Sequence, residues 1–150
     1  MRYLLDTDYI SFIQRRSGVG YTKLSNRISQ HSPNDFALSI VSFHEQVIGA
    51  HTFINRAQNR TNLMRGYTLL SEALQSFSQA IVLPFDAPAI VVFEQLQNQK
   101  VSGSTMDLRI ASRCFADTAR VALSRSLIVL TRNTRDFQKV PGLSIEDWTV

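Results

Sequence analysis

Six polar side chains stand just beyond apolar or small-residue stretches of this chain, where a fold would bring them to the ends of its strands. Asp6 and Asp8 follow Tyr3-Leu4-Leu5, and Glu45 comes one helical turn after "ALSIVS". Asp107 follows "SGSTM", and Asn133 and Asp136 follow "LIVLT". All but Asn133 are acids. Carboxylates a few ångströms apart repel by about 1 to 4 kcal/mol per pair at effective dielectrics of roughly 80 to 20, and a divalent cation removes that cost. An oxygen-only donor set, without a cysteine cluster or paired histidines, points to Mg²⁺ or Mn²⁺ and away from zinc.

Each group also has a purely structural use. Ser42-Phe43-His44-Glu45 and Ser104-Thr105-Met106-Asp107 both fit the capping box, in which an acid three residues after Ser satisfies helix N-terminal amides. Asp6 suits the cap of a helix beginning near Thr7, and Asn133 suits an ordinary turn. Convergence of several such groups on one edge is what favours chemistry. His44 and His51 read as packing or surface residues rather than ligands, and His31 as a turn residue. Asp117 lies on a different helix face from Asp107 and reads as solvated. Asp35, Glu72, Asp86, Glu94, Glu146 and Asp147 are assigned to caps and surface.

The elements that must position the acids alternate between strand and helix. "RYLLD" is a short strand, "YISFIQRR" a helix, and Tyr21, Leu24 and Ile28 mark a second helix. "FALSIVS" is the next strand, and residues 42–78 read as a helical hairpin broken at "NRTN". Most of its apolar residues (Phe43, Val47, Ile54, Leu63, Tyr67, Leu70 and Phe77) are expected in the core. "AIVLPF" is a third strand, Asp86 and Pro88 start a helix to about residue 99, and a glycine loop leads into a long helix carrying Asp107 and Cys114. "LIVLTRN" is a buried strand and "LSIEDW" a final short one. Strands separated by helices predict an α/β sandwich with a mainly parallel central sheet and right-handed crossovers. In such sheets ligands bind beyond the carboxyl ends of the strands, where the acids fall.

Composition agrees with one folded unit spanning residues 1–150, since this length buries a single sizeable core. A hydrophobic fraction of 44% and a charged fraction of 19% exclude disordered and fibrous classes. Asp6 and Asp8 interrupt the apolar start, so neither a signal peptide nor a membrane span is expected, and the cytoplasm is the expected location. The single cysteine, Cys114, has no disulfide partner in the chain and reads as a small core residue. A net charge of +4 suits a polyanionic partner.

The stretches "YLLDTDYIS", "LSIVSFHEQVIGA", "GSTMDLRIAS" and "LIVLTRNTRDFQKVPGLSIEDW" resemble, in this order, the PIN-domain family, and within it the VapC ribonuclease toxins of toxin-antitoxin modules. The likeness runs end to end and is most specific in the last stretch. It implies a PIN-like three-layer α/β/α sandwich and a metal-dependent endoribonuclease cutting tRNA or another structured RNA. Asp6, Glu45 and Asp107 match the family's metal-binding acids. Its fourth acidic position falls on Asn133, with Asp136 as a substitute three residues on. Asp8 falls where the family has Asn and is a supporting residue, and Thr131 is a hydroxyl near the same edge. Mg²⁺ or Mn²⁺ would bind the scissile phosphate and activate water there. Arg109, Arg132, Arg135 and Lys139 lie close in sequence to the acids and could guide phosphates, although each taken singly reads as a solvated charge. The resemblance also implies a homodimer or larger assembly with a VapB-like antitoxin that blocks the site and helps bind operator DNA, while the helical hairpin, where its apolar residues are not core, would offer a surface for an antitoxin helix or a second protomer. "SRCFADTAR" reads as an insertion, at about residues 112–120, into the helix after Asp107.

Two other readings fit parts of the sequence. "LLDTD" also imitates the D-x-D strand end of haloacid-dehalogenase-like phosphatases, with Asp6 as nucleophile and Asp8 as acid. That chemistry needs a downstream Lys and paired acids after a later strand, and "LIVLTRNTRDF" offers no adjacent acids. A catalytically silent PIN-like domain that binds RNA or a partner without cleaving is the alternative from outside enzymology, favoured by Asn133 and by the insertion.

Overall fold

The computed structural model describes residues 1–116 and 126–150. Strand β1 (Tyr3–Leu5) leads into α1 (Thr7–Arg15) and α2 (Val19–Ile28), and a 3₁₀ turn (Pro33–Asp35) into β2 (Phe36–Ser39). Next come α3 (Ile40–Arg56), α4 (Arg60–Ser78), β3 (Val82–Leu83), α5 (Ala87–Asn98) and α6 (Thr105–Ala116). The chain closes with β4 (Ile128–Leu130), α7 (Thr134–Phe137) and β5 (Ile145–Glu146). The strands form one sheet in the order β3-β2-β1-β4-β5, and every pairing is parallel. The expected α/β sandwich is thus found. Among the described residues no helix is long and apolar enough to cross a membrane.

Two-residue alternation sorts the strands onto two faces. Leu4, Ala37 and Val129, in register across β2, β1 and β4, face a cluster containing Phe93, Ile110, Cys114 and Phe137 from α5, α6 and α7. Tyr3, Leu5, Leu38 and Leu130 face a cluster containing Tyr9, Leu24, Phe77 and Trp148. Burial on both faces explains why each strand reads as a continuous apolar run. His31, read as an uninformative turn residue, packs here: its ring stacks on Trp148 at 5.2 Å and meets Tyr3 edge-on at 5.3 Å.

Caps fix where the helices begin. Asp86 Oδ1 accepts from the Ala89 amide at the start of α5, with Pro88 in the first turn. Asn59 Oδ1 accepts from the Asn62 amide at 2.8 Å and opens α4, at the expected hairpin break. One expected cap is wrong. Strand β2 stops at Ser39, whose Oγ accepts from the Val41 amide at 3.1 Å and caps α3. Ser42 therefore lies inside the helix, buried and with its hydroxyl unpartnered, and Glu45 sits beyond the first turn rather than in a capping box. α3 and α4 approach closely at Gly66, where an added Cβ would stand 2.5 Å from Ile54 Cγ1. Phe77 is buried as expected, but Leu63 and Tyr67 are 44% and 56% exposed, so that end of the hairpin does not join the core. Asp117, and the part of the apparent insertion beyond Ala116, lie outside the described residues.

Candidate active site

The strand order reverses between β1 and β4, and a crevice opens where their carboxyl ends part. Asp6 stands at that point, its amide donating to Leu130 O at 3.0 Å. Its side chain is 5% exposed. Oδ1 accepts from the Thr7 amide at 2.7 Å, so Asp6 does cap α1, while Oδ2 accepts from Thr131 Oγ1 at 2.8 Å. The Thr131 hydroxyl in turn accepts from the Asn133 amide at 2.9 Å. β1 and β4 are therefore tied together through side chains that face the crevice.

Thr7 carries the link onward, its hydroxyl donating to Glu45 Oε1 on α3 at 2.8 Å. Asp8 Oδ2 accepts from the Arg132 amide at 3.1 Å, whereas its Oδ1 is buried without a partner. On α6, Ser104 Oγ accepts from the Asp107 amide at 3.0 Å, so the serine half of the second expected capping box forms. Asp6, Thr7, Asp8, Ser11, Glu45, Asp107 and Asn133 line one open pocket of about 320 Å³. Residues separated by more than a hundred positions thus share one space. Asp136 is not among them: its carboxylate pairs with Lys139 Nζ at 3.1 Å, which holds it below the usual carboxylate range.

The pocket holds its charge against resistance. Burial, then the neighbouring charge of Asp8, pushes the Asp6 carboxyl up to about 7, although the bonds from Thr131 and Thr7 pull the other way. Burial also raises Asp8, which the Arg132 amide opposes, and raises Glu45, helped by the charges of Asp107 and Asp8. Asp107 is raised by burial and by Asp136, with Ser104 opposing. Four carboxylates in one pocket, each harder to ionise than in water, call for positive charge. A hard divalent cation fits this all-oxygen donor set, and the unpartnered Asp8 Oδ1 offers it a buried lone pair. Among the described residues no group of three or more acids, histidines or cysteines is already placed to hold a metal ion, and the acids line an open pocket instead. Lining an open pocket suits an ion such as Mg²⁺, which keeps several of its waters.

The remaining candidates divide clearly. Arg132 serves Asp8 through its backbone, and its guanidinium lies 5.0 Å from the Phe12 ring centroid. Arg109 sits at 5.6 Å from that of Phe93, and Arg135 is exposed. His44 is exposed and His51 bonds Asn55, as surface residues do. The phosphatase reading finds no support, because among the described residues no lysine lines the pocket. Sequence reasoning missed the bridging role of Thr7, whose partner lies 38 residues away. The hydroxyl in "LDTD" was the one available signal. It also placed Asp147 on the surface, where the structure has it accept from the buried Tyr9 hydroxyl at 2.7 Å.

No profile of a known family matches the chain. Ribonuclease VapC1 of Haemophilus influenzae is 28% identical over 99% of both chains. In fold, the chain is similar to a protein in DNA-bound VapBC from Salmonella typhimurium, with a TM-score of 0.74, 21% identity and coverage of 99% and 98%. VapBC-1 from nontypeable Haemophilus influenzae gives 0.65, 24% identity and full coverage of both chains. FitAcB from Neisseria gonorrhoeae gives 0.67 and 21%, covering 97% of this chain and 96% of that one. Over its full length the chain is thus similar in sequence to Ribonuclease VapC1, and its wholly parallel α/β/α fold is that found in the VapBC and FitAcB structures.

Proposed function

We propose that this chain is an endoribonuclease toxin of the VapC kind, hydrolysing phosphodiester bonds of tRNA or another structured RNA in the cytoplasm. One observation carries the reading: Asp6, Glu45, Asp107 and Asn133, from four separate segments, line one pocket at the point where the strand order reverses. The full-length likeness to Ribonuclease VapC1 supports the same activity. A divalent ion, Mg²⁺ or Mn²⁺, would supply Lewis acidity toward the phosphate and lower the pKa of a water. The residues that would hold it are Asp6, Glu45 and Asp107, with Asp8 and Asn133 beside them. Thr131 and Thr7 keep Asp6 and Glu45 in fixed orientations by donating to them. The neighbours solved as VapBC and FitAcB, one of the VapBC structures bound to DNA, support inhibition by a VapB-like antitoxin and operator DNA contact through it.

Purified chain incubated with total tRNA is expected to cleave it in Mg²⁺ or Mn²⁺ and not in EDTA, and Asp6→Asn of equal folded content is expected to be inert. RNA bound but uncut under every metal would replace this reading with that of a silent RNA-binding domain.

A further inference from the structure

A second pocket shares helices α3 and α6 with the acid site and takes no part in the reaction described above. Its volume of about 500 Å³ falls within the roughly 300 to 1,000 Å³ of small-molecule sites, and it lies among α3, α5 and α6. Val41, Phe85 and Phe93 provide an apolar floor, the two rings meeting edge to face with centroids 6.0 Å apart. His44, Glu94 and Arg109 add polar groups to the lining. Helices α3 and α6 contribute side chains to both pockets, although no residue lines both. His44 precedes Glu45 on α3 and bears electrostatically on its carboxylate, and Arg109 lies two residues past Asp107 on α6. Arg109 is held against the aromatic floor, its Cζ 5.6 Å from the Phe93 centroid.

This combination selects a ligand. An aromatic and aliphatic floor receives a flat, unpaired base, since every base has a π-face. A guanidinium and an imidazole beside it suit the flanking phosphates. Glu94 repels phosphate but accepts hydrogen bonds from the amino groups on a base edge. An apolar peptide side chain would instead desolvate all three polar groups without giving them partners. We propose that this pocket holds an unpaired nucleobase of the RNA whose backbone is presented to the acids. The inference rests on the ribonuclease reading and names the part of the substrate that gives it selectivity.

The test is a titration of the full chain, in EDTA so that nothing is cut, with labelled ribo-hexamers of A, C and U and with an abasic hexamer. Base-bearing hexamers are expected to bind about tenfold tighter than the abasic one, a margin that Phe85→Ala reduces. Arg109→Gln should weaken binding of every hexamer. Glu94→Ala should raise overall affinity while narrowing the preference for C, which bears an amino group, over U. Glu94 is exposed, so this variant keeps the test open if Phe85→Ala fails to fold. Equal binding of abasic and base-bearing hexamers, or variants that bind as the parent chain does, would overturn the proposal and leave the pocket to a protein partner. Cleavage in Mg²⁺ is followed in parallel. Cutting without any base effect rejects the pocket and keeps the ribonuclease, whereas a base effect without cutting upholds the pocket and removes the ribonuclease.

Discussion

Strand β1 begins and ends in opposite environments. At its start, Tyr3 is 3% exposed and touches three rings, His31, Phe36 and Trp148, at centroid distances of 5.3, 5.5 and 4.8 Å. Arg27 covers Trp148 at 5.3 Å, and the Trp148 Nε1 donates to Glu146. Every one of those contacts favours the folded chain. Three residues on, Asp6 is equally buried, yet its carboxyl is pushed up to about 7 by burial and by Asp8. Folding alone gains nothing from ionised acids held together there. The aromatic end anchors the sheet, and that anchoring allows the other end to hold charge in a geometry suited to a cation.

Replacing residues at each end separates the two roles. Asp6→Asn should lower cleavage by about a thousandfold, the roughly 4 kcal/mol of lost electrostatic stabilisation that metal-assisted hydrolysis implies, with the melting temperature kept or raised. Trp148→Ala should do the reverse, destabilising by about 3 kcal/mol in a denaturant titration while the surviving folded fraction cuts RNA normally. Thr131→Val removes the donor to Asp6 Oδ2 and should weaken cation affinity or activity by about 10- to 100-fold, with Thr131→Ser restoring most of it.

The smallest effect is a pH dependence. Without metal, Asp6 has its pKa raised from 3.8 to about 7, so the folded chain retains a proton that the unfolded chain has released between those values. The Asp6 contribution to stability should therefore be greatest below about pH 4 and decline as the pH rises to about 7, opposite in sign to those of Asp136 and Asp147, which are held below the usual range. Melts in EDTA at about pH 5 and about pH 8 should show this fall, reduced in Asp6→Asn, and Mn²⁺ at the higher pH should reverse it. A stability that instead rises across this window would mean that Asp6 is not held against its charge.

The contrast also explains what the sequence made legible. Strand runs ending in acids, the helix start marked by Asp86, and the hairpin break at "NRTN" are local signals, and the structure has them all. Ser42 misled because two serines three residues apart both suit a cap, and burial of the chain after Ser39 decides between them. Asn133 and Asp136 both follow β4, and only the turn into α7, which pairs Asp136 with Lys139, separates them. The aromatic anchor was invisible for a different reason. His31, Trp148 and Tyr3 are far apart along the chain, and stacking has no sequence period. Leu63 and Tyr67 have the helical spacing of core residues but stand beyond the reach of the sheet, where no described element covers them.

The most direct test of the acid pocket is a calorimetric titration of Mn²⁺ into the metal-free chain, beside Asp6→Asn and Asp136→Asn. Binding that persists in Asp136→Asn and disappears in Asp6→Asn is the predicted result. Equal binding by all three chains, or its loss in Asp136→Asn alone, would contradict a cation site built on Asp6, Glu45 and Asp107.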